Sequence, residues 1–489
     1  MTKEELLKSP QLLLKKKPFF RGYDRDFLST ESTERLEVGV DCTAKLPQLK
    51  KNVVTQDLFA LELDVFSHSV LFDGNVPSLC MKLENGGYQE IKFEKIAIPI
   101  QQMLVNKQTL HLSANPMDFT LIDTEPTQSI EENYILFKQY WNLRNLDGLK
   151  TKMVLTQKSY GDAGLLFYFN DKHEIKCRVI SYEDGFVLCP HNDDNGERIL
   201  ESIYYVSDGI EYIDCYDNKK MYRFKKHLVG NMKNNGWYLE SEELHGFEEI
   251  PIITKRGDVA WNRVQSTITS YEILYNIFMC IQRRFGWGLL YVRGNLDPTG
   301  KKIAGAVILQ DRSVGDTNSD AKFLTPPTGE GVIKTLELLE EAIQKGSGTT
   351  FILPKDVKTS GDISGIAIMQ TQSLDIETAL QGVIDWQNVA DKMVRLFKYG
   401  LSKELVEKGI NKNAITEFKK MNINGKFKLW KPYSETEYNN MLIALKNANV
   451  ISSETSTELS TVSRPDEKAR LIKENESNSK QNQSIENGD

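Results

Sequence analysis

The chain has 489 residues, a formal net charge of −7, 40% apolar residues and 26% charged ones. At roughly 100–200 residues per domain this predicts two to four folding units, and the balance excludes a collagen-like, disordered or bilayer-embedded chain over most of the length. An acidic body also excludes a protein that coats nucleic acid through a wholly basic surface, while leaving room for a local basic patch.

Residues 1 to about 55 alternate short apolar clusters with charge, including Lys15–Lys17 and Lys50–Lys51, and keep no sustained period. They read as an N-terminal arm with little core. The apolar run Leu12–Leu14 is too short for an export signal. From Glu131, the near-helical spacing of Tyr134, Phe137, Trp141, Leu143 and Leu146 predicts one helix ending near a glycine. The β-rich runs GLLFYFN, EIKCRVISY, GFVLCP, SIYYVS, IEYIDCYD and KMYRFKKH follow, separated by DDNG, SDG and YDNKK. They predict about six antiparallel strands.

At Asp258 the pattern changes: Val264, Ile268, Tyr271, Leu274, Phe278, Ile281 and Phe285 recur every three or four residues behind a candidate Asp cap. This predicts a long amphipathic helix. Arg283 and Arg284 sit in the most lipid-like window of the chain, so no membrane span is expected there. Residues 286 to about 328 return to Gly- and Pro-punctuated text and predict a small β or α/β insertion. A second helix runs from Val332 to Lys345 and stops at Gly346-Ser347-Gly348. After the loop text TTFILPKDVKTSGDISG, Leu374 through Leu401 trace the longest apolar stripe in the chain. Two more helical stretches, SETEYNNMLIALKNA and SRPDEKARLIKENE, precede a tail expected to be disordered.

Motifs for chemistry are looked for and fail on spacing. In GNLDPTGKK five residues separate Gly294 from Gly300 and Lys302 stands where a phosphate-binding loop needs Ser or Thr, so a hairpin turn is expected. HNDDNGERILES puts His191 and Ser202 at the ends where a calcium loop needs acids. Cys177, Cys189, Cys215, His173 and His191 match no zinc spacing. With Cys42, Cys80 and Cys280 they form no CxxC pair, and reduced core thiols in a cytoplasm-assembled protein are expected. Glu340-Glu341 and Asp193-Asp194 read as solvated faces and turns. No cofactor, no metal and no enzymatic activity are expected.

Five blocks in order carry a resemblance: KIAIPIQQMLVNKQTLHLSANPMDF, YGDAGLLFYFND, HGFEEIPIITKRGDVAWNRVQSTITSYEILYN, DISGIAIMQTQSLDIETAL and PYSETEYNNMLIALKNANVISSETSTELSTVSRPDEKARLIKENE. Over residues 93–476 the chain resembles the portal, or head-to-tail connector, proteins of tailed bacteriophages. The resemblance implies an α+β portal fold: arm 1–55, α/β wing 56–257 with a return at 404–433, helical stem 258–285 and 329–345, and small α/β clip 286–328. It further implies a tunnel loop 346–363, a long helix 364–403, a helical crown 434–476 and a tail 477–489. LHLSANP is more polar than the family's usual version of that segment.

The implied function is a homo-oligomeric ring, a dodecamer in the family, at one capsid vertex of the virion, assembled in the host bacterial cytoplasm. Double-stranded DNA would pass through it during packaging and ejection. The implied partners are the terminase large subunit, major capsid and scaffold proteins, and then head-completion, neck or tail proteins, with no membrane. A channel that lets DNA slide cannot hold many phosphates, since each contact adds salt-dependent affinity. An acidic body with few basic contacts fits that need. Lys345, Lys355 and Lys358, with Thr359 and Ser360 as polar neighbours, are the candidate DNA-channel residues, against the alternative of ordinary solvated loop side chains. The competing functions are another virion connector or tail protein, which would lack a terminase-binding clip, and a metal-dependent nucleic-acid enzyme, which would cleave DNA.

Overall fold

The computed structural model describes residues 3–13, 79–82, 88–91, 98–122, 127–182, 184–226, 236–285, 289–293, 296–297, 302–303, 306–307, 310–311, 320–324, 329–351, 372–430, 435–452, 456 and 460. The fold is mixed α+β. It divides into a larger unit, Met1–Thr349 with Thr378–Leu429, and a smaller one, Thr350–Glu377 with Trp430–Asp489.

In the larger unit, helix α1 (Lys3–Lys8) and a 3-10 turn (Pro10–Leu12) place Leu6 and Leu13 in a buried cluster with Leu200, Ile213, Phe224 and Trp237. Lys3 pairs with Asp217. Arm residues 3–13 therefore have a core after all, built on a sheet of their own chain. The expectation of an arm with little core is corrected for this stretch, because its few leucines fill an apolar sheet face rather than one another; residues 14–55 lie outside the described residues.

Strands β1 (Leu79–Lys82) and β2 (Tyr88–Ile91) pair antiparallel. Helix α2 (Ile100–Ser113) and strand β3 (Asp118–Leu121) follow. The single helix expected from Glu131 is two, α3 (Gln128–Leu143) and α4 (Leu146–Tyr160). They break at Asn145, which adopts φ 51°. Gly148 does not end a helix but makes room for that break, since a Cβ there would lie 2.7 Å from the Asn145 amide. The actual stop is Gly161 (φ 77°), whose N–H reaches Gln157 O at 2.8 Å. The local reason for the break is Asp147, which accepts from Trp141 Nε1 (3.0 Å), Met117 N (2.8 Å) and Lys150 Nζ (3.2 Å).

Eight strands follow where about six were expected: β4 (Asp162–Phe169), β5 (Ile175–Ile180), β6 (Val187–Asn192), β7 (Arg198–Ser207), β8 (Ile210–Tyr216), β9 (Lys220–Lys226), β10 (Trp237–Leu244) and β11 (Ile252–Arg256). They form an antiparallel five-stranded sheet, β10-β9-β8-β7-β6, and a three-stranded one, β11-β4-β5.

The amphipathic helix expected from Asp258 begins at Gln265 as α5 (Gln265–Phe285). Residues 260–264 are turns in which Trp261, with no exposed surface, is sunk into the core, and Asp258 caps nothing: its carbonyl accepts from Gln157 Nε2 at 3.2 Å. The insertion is entirely β among its described residues. Strands β12 (Leu289–Arg293) and β17 (Asp320–Leu324) enclose β13 (Leu296–Asp297) and β16 (Gln310–Asp311), which enclose β14 (Lys302–Ile303) and β15 (Ala306–Val307).

Helix α6 (Glu330–Ser347) ends at Gly348 in the left-handed conformation (φ 65°), one turn beyond Lys345, so Gly346 and Ser347 are helical. Helix α7 (Ser373–Glu407) runs past the expected end at 403, because Glu404 and Leu405 are fully buried and the next left-handed glycine is Gly409. Helix α8 (Ala414–Lys420) and strand β18 (Ile423–Lys426), paired with β3, close the larger unit. In its core Phe397 meets both Phe137 and Trp141 edge-on, the Trp141 and Phe397 rings lying 5.4 Å apart at 88°.

In the smaller unit, Asp375 Oδ1 accepts from Thr350 N at 3.1 Å and its other oxygen from the Thr350 hydroxyl. Helix α9 (Glu435–Asn447) matches the first expected C-terminal helix. The second, 463–476, and the tail 477–489 lie outside the described residues.

Candidate functional site

The segment singled out for DNA contact follows α6, which packs against α5 in a geometry set by glycines. Along α5 and α6, a Cβ on Gly346 would meet Val264 Cγ1 at 2.6 Å, and one on Gly329 would meet Phe278 Cε2 at 2.7 Å. The two helices therefore run antiparallel and approach closely at both ends, where any larger residue would wedge them apart. Ile268 and Ile343 are fully buried along the pair, and Leu336 nearly so.

Where α6 ends, Gln108 Nε2 donates to Ser347 O (3.0 Å) and Thr349 Oγ1 (3.1 Å), and Thr378 Oγ1 donates to Gly348 O at 3.0 Å. A Cβ on Gly348 would sit 2.3 Å from that hydroxyl. Glycine is thus required twice at this position, for its left-handed backbone and for the Thr378 approach. Gln108, Thr378 and Asp375 anchor the chain next to the candidate segment, and sequence reasoning missed all three. The signal available for Asp375 and Thr378 was the polar run SLDIET at the start of the long helix, while Gln108, on α2, left none.

Of the five candidate DNA-channel residues, Lys345 is described. It sits on the last turn of α6, 72% exposed, and pairs with Glu341 one turn back at 2.6 Å. Lys355, Lys358, Thr359 and Ser360 lie outside the described residues. An exposed pair of this kind contributes about 0–1 kcal/mol, so Lys345 remains available to an external phosphate at little expense.

Residues weighed as zinc ligands are distributed otherwise. Cys189 and His191 lie on β6, Cys215 on β8, Cys177 on the other sheet, and His173 in the left-handed turn between β4 and β5. Ser202 faces Cys189 across the ladder on one side and Cys215 on the other, 3.1 Å from Cys215 Sγ. Burial pushes the Cys177 and Cys189 thiols up to about 12 and Cys215 higher still, which makes them poor nucleophiles and poor metal ligands. Among the described residues no group of three or more His, Cys, Asp or Glu side chains is placed to hold a metal ion, and no described helix is long and apolar enough to cross a membrane.

A family model described as phage portal protein, SPP1 Gp6-like, matches residues 89–482. The chain therefore belongs to that phage portal protein family. A solved structure described as the neck of an empty GTA particle computed with C6 symmetry is similar at 12% identity and a TM-score of 0.40, over 73% of this chain and 88% of that one. No curated protein matches the chain.

Proposed function

We propose that this chain assembles into a ring at one capsid vertex, a dodecamer by family analogy, through which double-stranded DNA is packaged and later ejected. The ring would dock the terminase large subunit during packaging and head-completion, neck or tail proteins afterwards, with major capsid and scaffold proteins around it. The role is structural and virion-borne. The family match over residues 89–482 carries this reading.

On it, the wing is 56–257 with 404–433, the stem the helices within 258–285 and 329–345, and the clip 286–328. The tunnel loop, expected at 346–363, starts after Ser347, the long helix, expected at 364–403, runs to Glu407, and the crown is 434–476. The nested strand pairs between α5 and α6 suit a docking clip. Self-assembly is supported by apolar side chains left at the surface of the larger unit's helices: Ile333 (44% exposed) and Leu338 (58%) on α6, Leu380 (49%) and Ile384 (79%) on α7. Lys345, Lys355 and Lys358, with Thr359 and Ser360, are proposed to touch DNA phosphates weakly enough to let the duplex slide.

Negative-stain electron microscopy of the purified full chain, paired with native mass, tests the assembly. Rings with a central hole are expected. A compact species that stays monomeric in the presence of scaffold and capsid proteins would overturn the reading.

A further inference from the structure

A cavity of about 420 Å³ lies in the larger unit between α7 and strands β7 and β11. Four cationic side chains line it, Arg198, Lys255, Arg256 and Lys392, against two carboxylates, Glu201 and Asp385. The pairing is uneven. Arg198 bonds Glu201, which is 1% exposed and also takes the Thr254 hydroxyl. Lys255 Nζ meets Asp385 Oδ1 at 2.6 Å. Arg256 Nη2 meets Asp162 Oδ2, behind the cavity wall, at 3.1 Å.

Lys392 differs. Its Nζ donates to Ile252 O at 2.8 Å, and no described carboxylate stands within ion-pairing distance of it. Burial draws this ammonium below the ordinary lysine range, with Glu249 and Glu201 pulling the other way from farther off. A desolvated cation without a countercharge is costly, and folds normally provide one.

We propose that this cavity binds a small oxyanion, of which inorganic phosphate is the simplest member, held by Lys392, Arg198 and Arg256. A phosphate supplies the countercharge that Lys392 lacks and offers acceptors to a guanidinium fork and an ammonium at once. It would also tie β7 of one sheet, β11 of the other and the long helix to a single ligand. The site is independent of the ring reading and can be tested on unassembled chain.

Titration calorimetry of the full chain with potassium phosphate, against potassium chloride at matched ionic strength near neutral pH, is expected to show saturable binding at one site per chain. Lys392→Met and Arg198→Gln each remove one charged donor and are expected to weaken it about tenfold or more. On the unaltered protein, phosphate is expected to slow acetylation of Lys392, read by peptide mass spectrometry. The proposal is overturned by absence of saturable heat, by undiminished affinity in either variant, or by equal acetylation in phosphate and chloride.

Discussion

Arg144 meets Glu404 across 260 positions of chain, its Nη2 lying 2.8 Å from Oε1 of a carboxylate with no exposed surface. The same carboxylate accepts from Lys408 Nζ at 2.7 Å and from Ile175 N at 2.9 Å. One buried group thus joins the α3–α4 break, strand β5 and the long helix. Losing one partner of a buried pair typically costs 3–5 kcal/mol. Because Lys408 still faces Glu404, Arg144→Met is expected at the low end, about 3 kcal/mol, in urea unfolding. A loss below about 1 kcal/mol would mean that Lys408 alone neutralises the site.

Strand β5 meets the long helix again at Gly400, where an added Cβ would lie 2.0 Å from Ile175 Cδ1. Gly400→Ala is expected to destabilise by about 1–3 kcal/mol through overpacking, despite the gain in helix propensity. Adding Ile175→Val removes the clashing methyl and should recover part of the loss. A double-mutant cycle with no coupling would show that the crowding is relieved elsewhere.

Leu13, fully buried against the five-stranded sheet, is expected to cost about 2–4 kcal/mol on change to alanine. Deleting residues 1–13 should uncover the apolar patch around Ile213, Phe224 and Trp237 and raise dye binding in the otherwise folded chain. Unchanged dye fluorescence would show that another segment covers the patch.

Asp162 is 1% exposed, and burial pushes its pKa up to about 7 from 3.8, with Arg256 opposing and Glu201 reinforcing the rise. Between those two values the folded chain keeps a proton that the unfolded chain has released. Its contribution to stability therefore falls as pH rises through that window and levels off above about 7. Asp162→Asn should remove that slope from a plot of unfolding temperature against pH. Parallel wild-type and variant curves would contradict the assignment.

Lys355→Ala combined with Lys358→Ala is expected to leave ring assembly intact while disturbing DNA packaging or retention, assayed as nuclease-protected DNA per particle. Protection equal to wild type would remove these lysines from the DNA path.

Much of the helical framework was legible. Leu336, Leu339 and Ile343 with the stop at Gly346-Ser347-Gly348 define α6 to within a turn at each end, because one buried stripe and a glycine-rich end decide it. The break at Asn145 was hidden because the apolar spacing runs through it, and what interrupts the helix is Asp147 capturing Trp141 and Met117. Strand β10, WYLESEEL, escaped because its acids break alternation; they are edge-strand residues answered by lysines of β9, Lys225 to Glu240 among them at 3.3 Å. Asp258 misled because capping chemistry was present without the backbone that uses it. The charged cavity left no trace in local spacing, since Arg198 and Lys392 are brought together by packing alone.

The nested strand pairs between α5 and α6 mean that the chain leaves the helix pair and retraces its own path back. Such an appendage behaves as a cassette: rungs can be added or removed symmetrically, and a new tip can be grafted between Ile303 and Ala306, without changing where either helix begins. Its outer chemistry is free to change, while the close approaches at Val264–Gly346 and Phe278–Gly329 keep the helical frame beneath it constant.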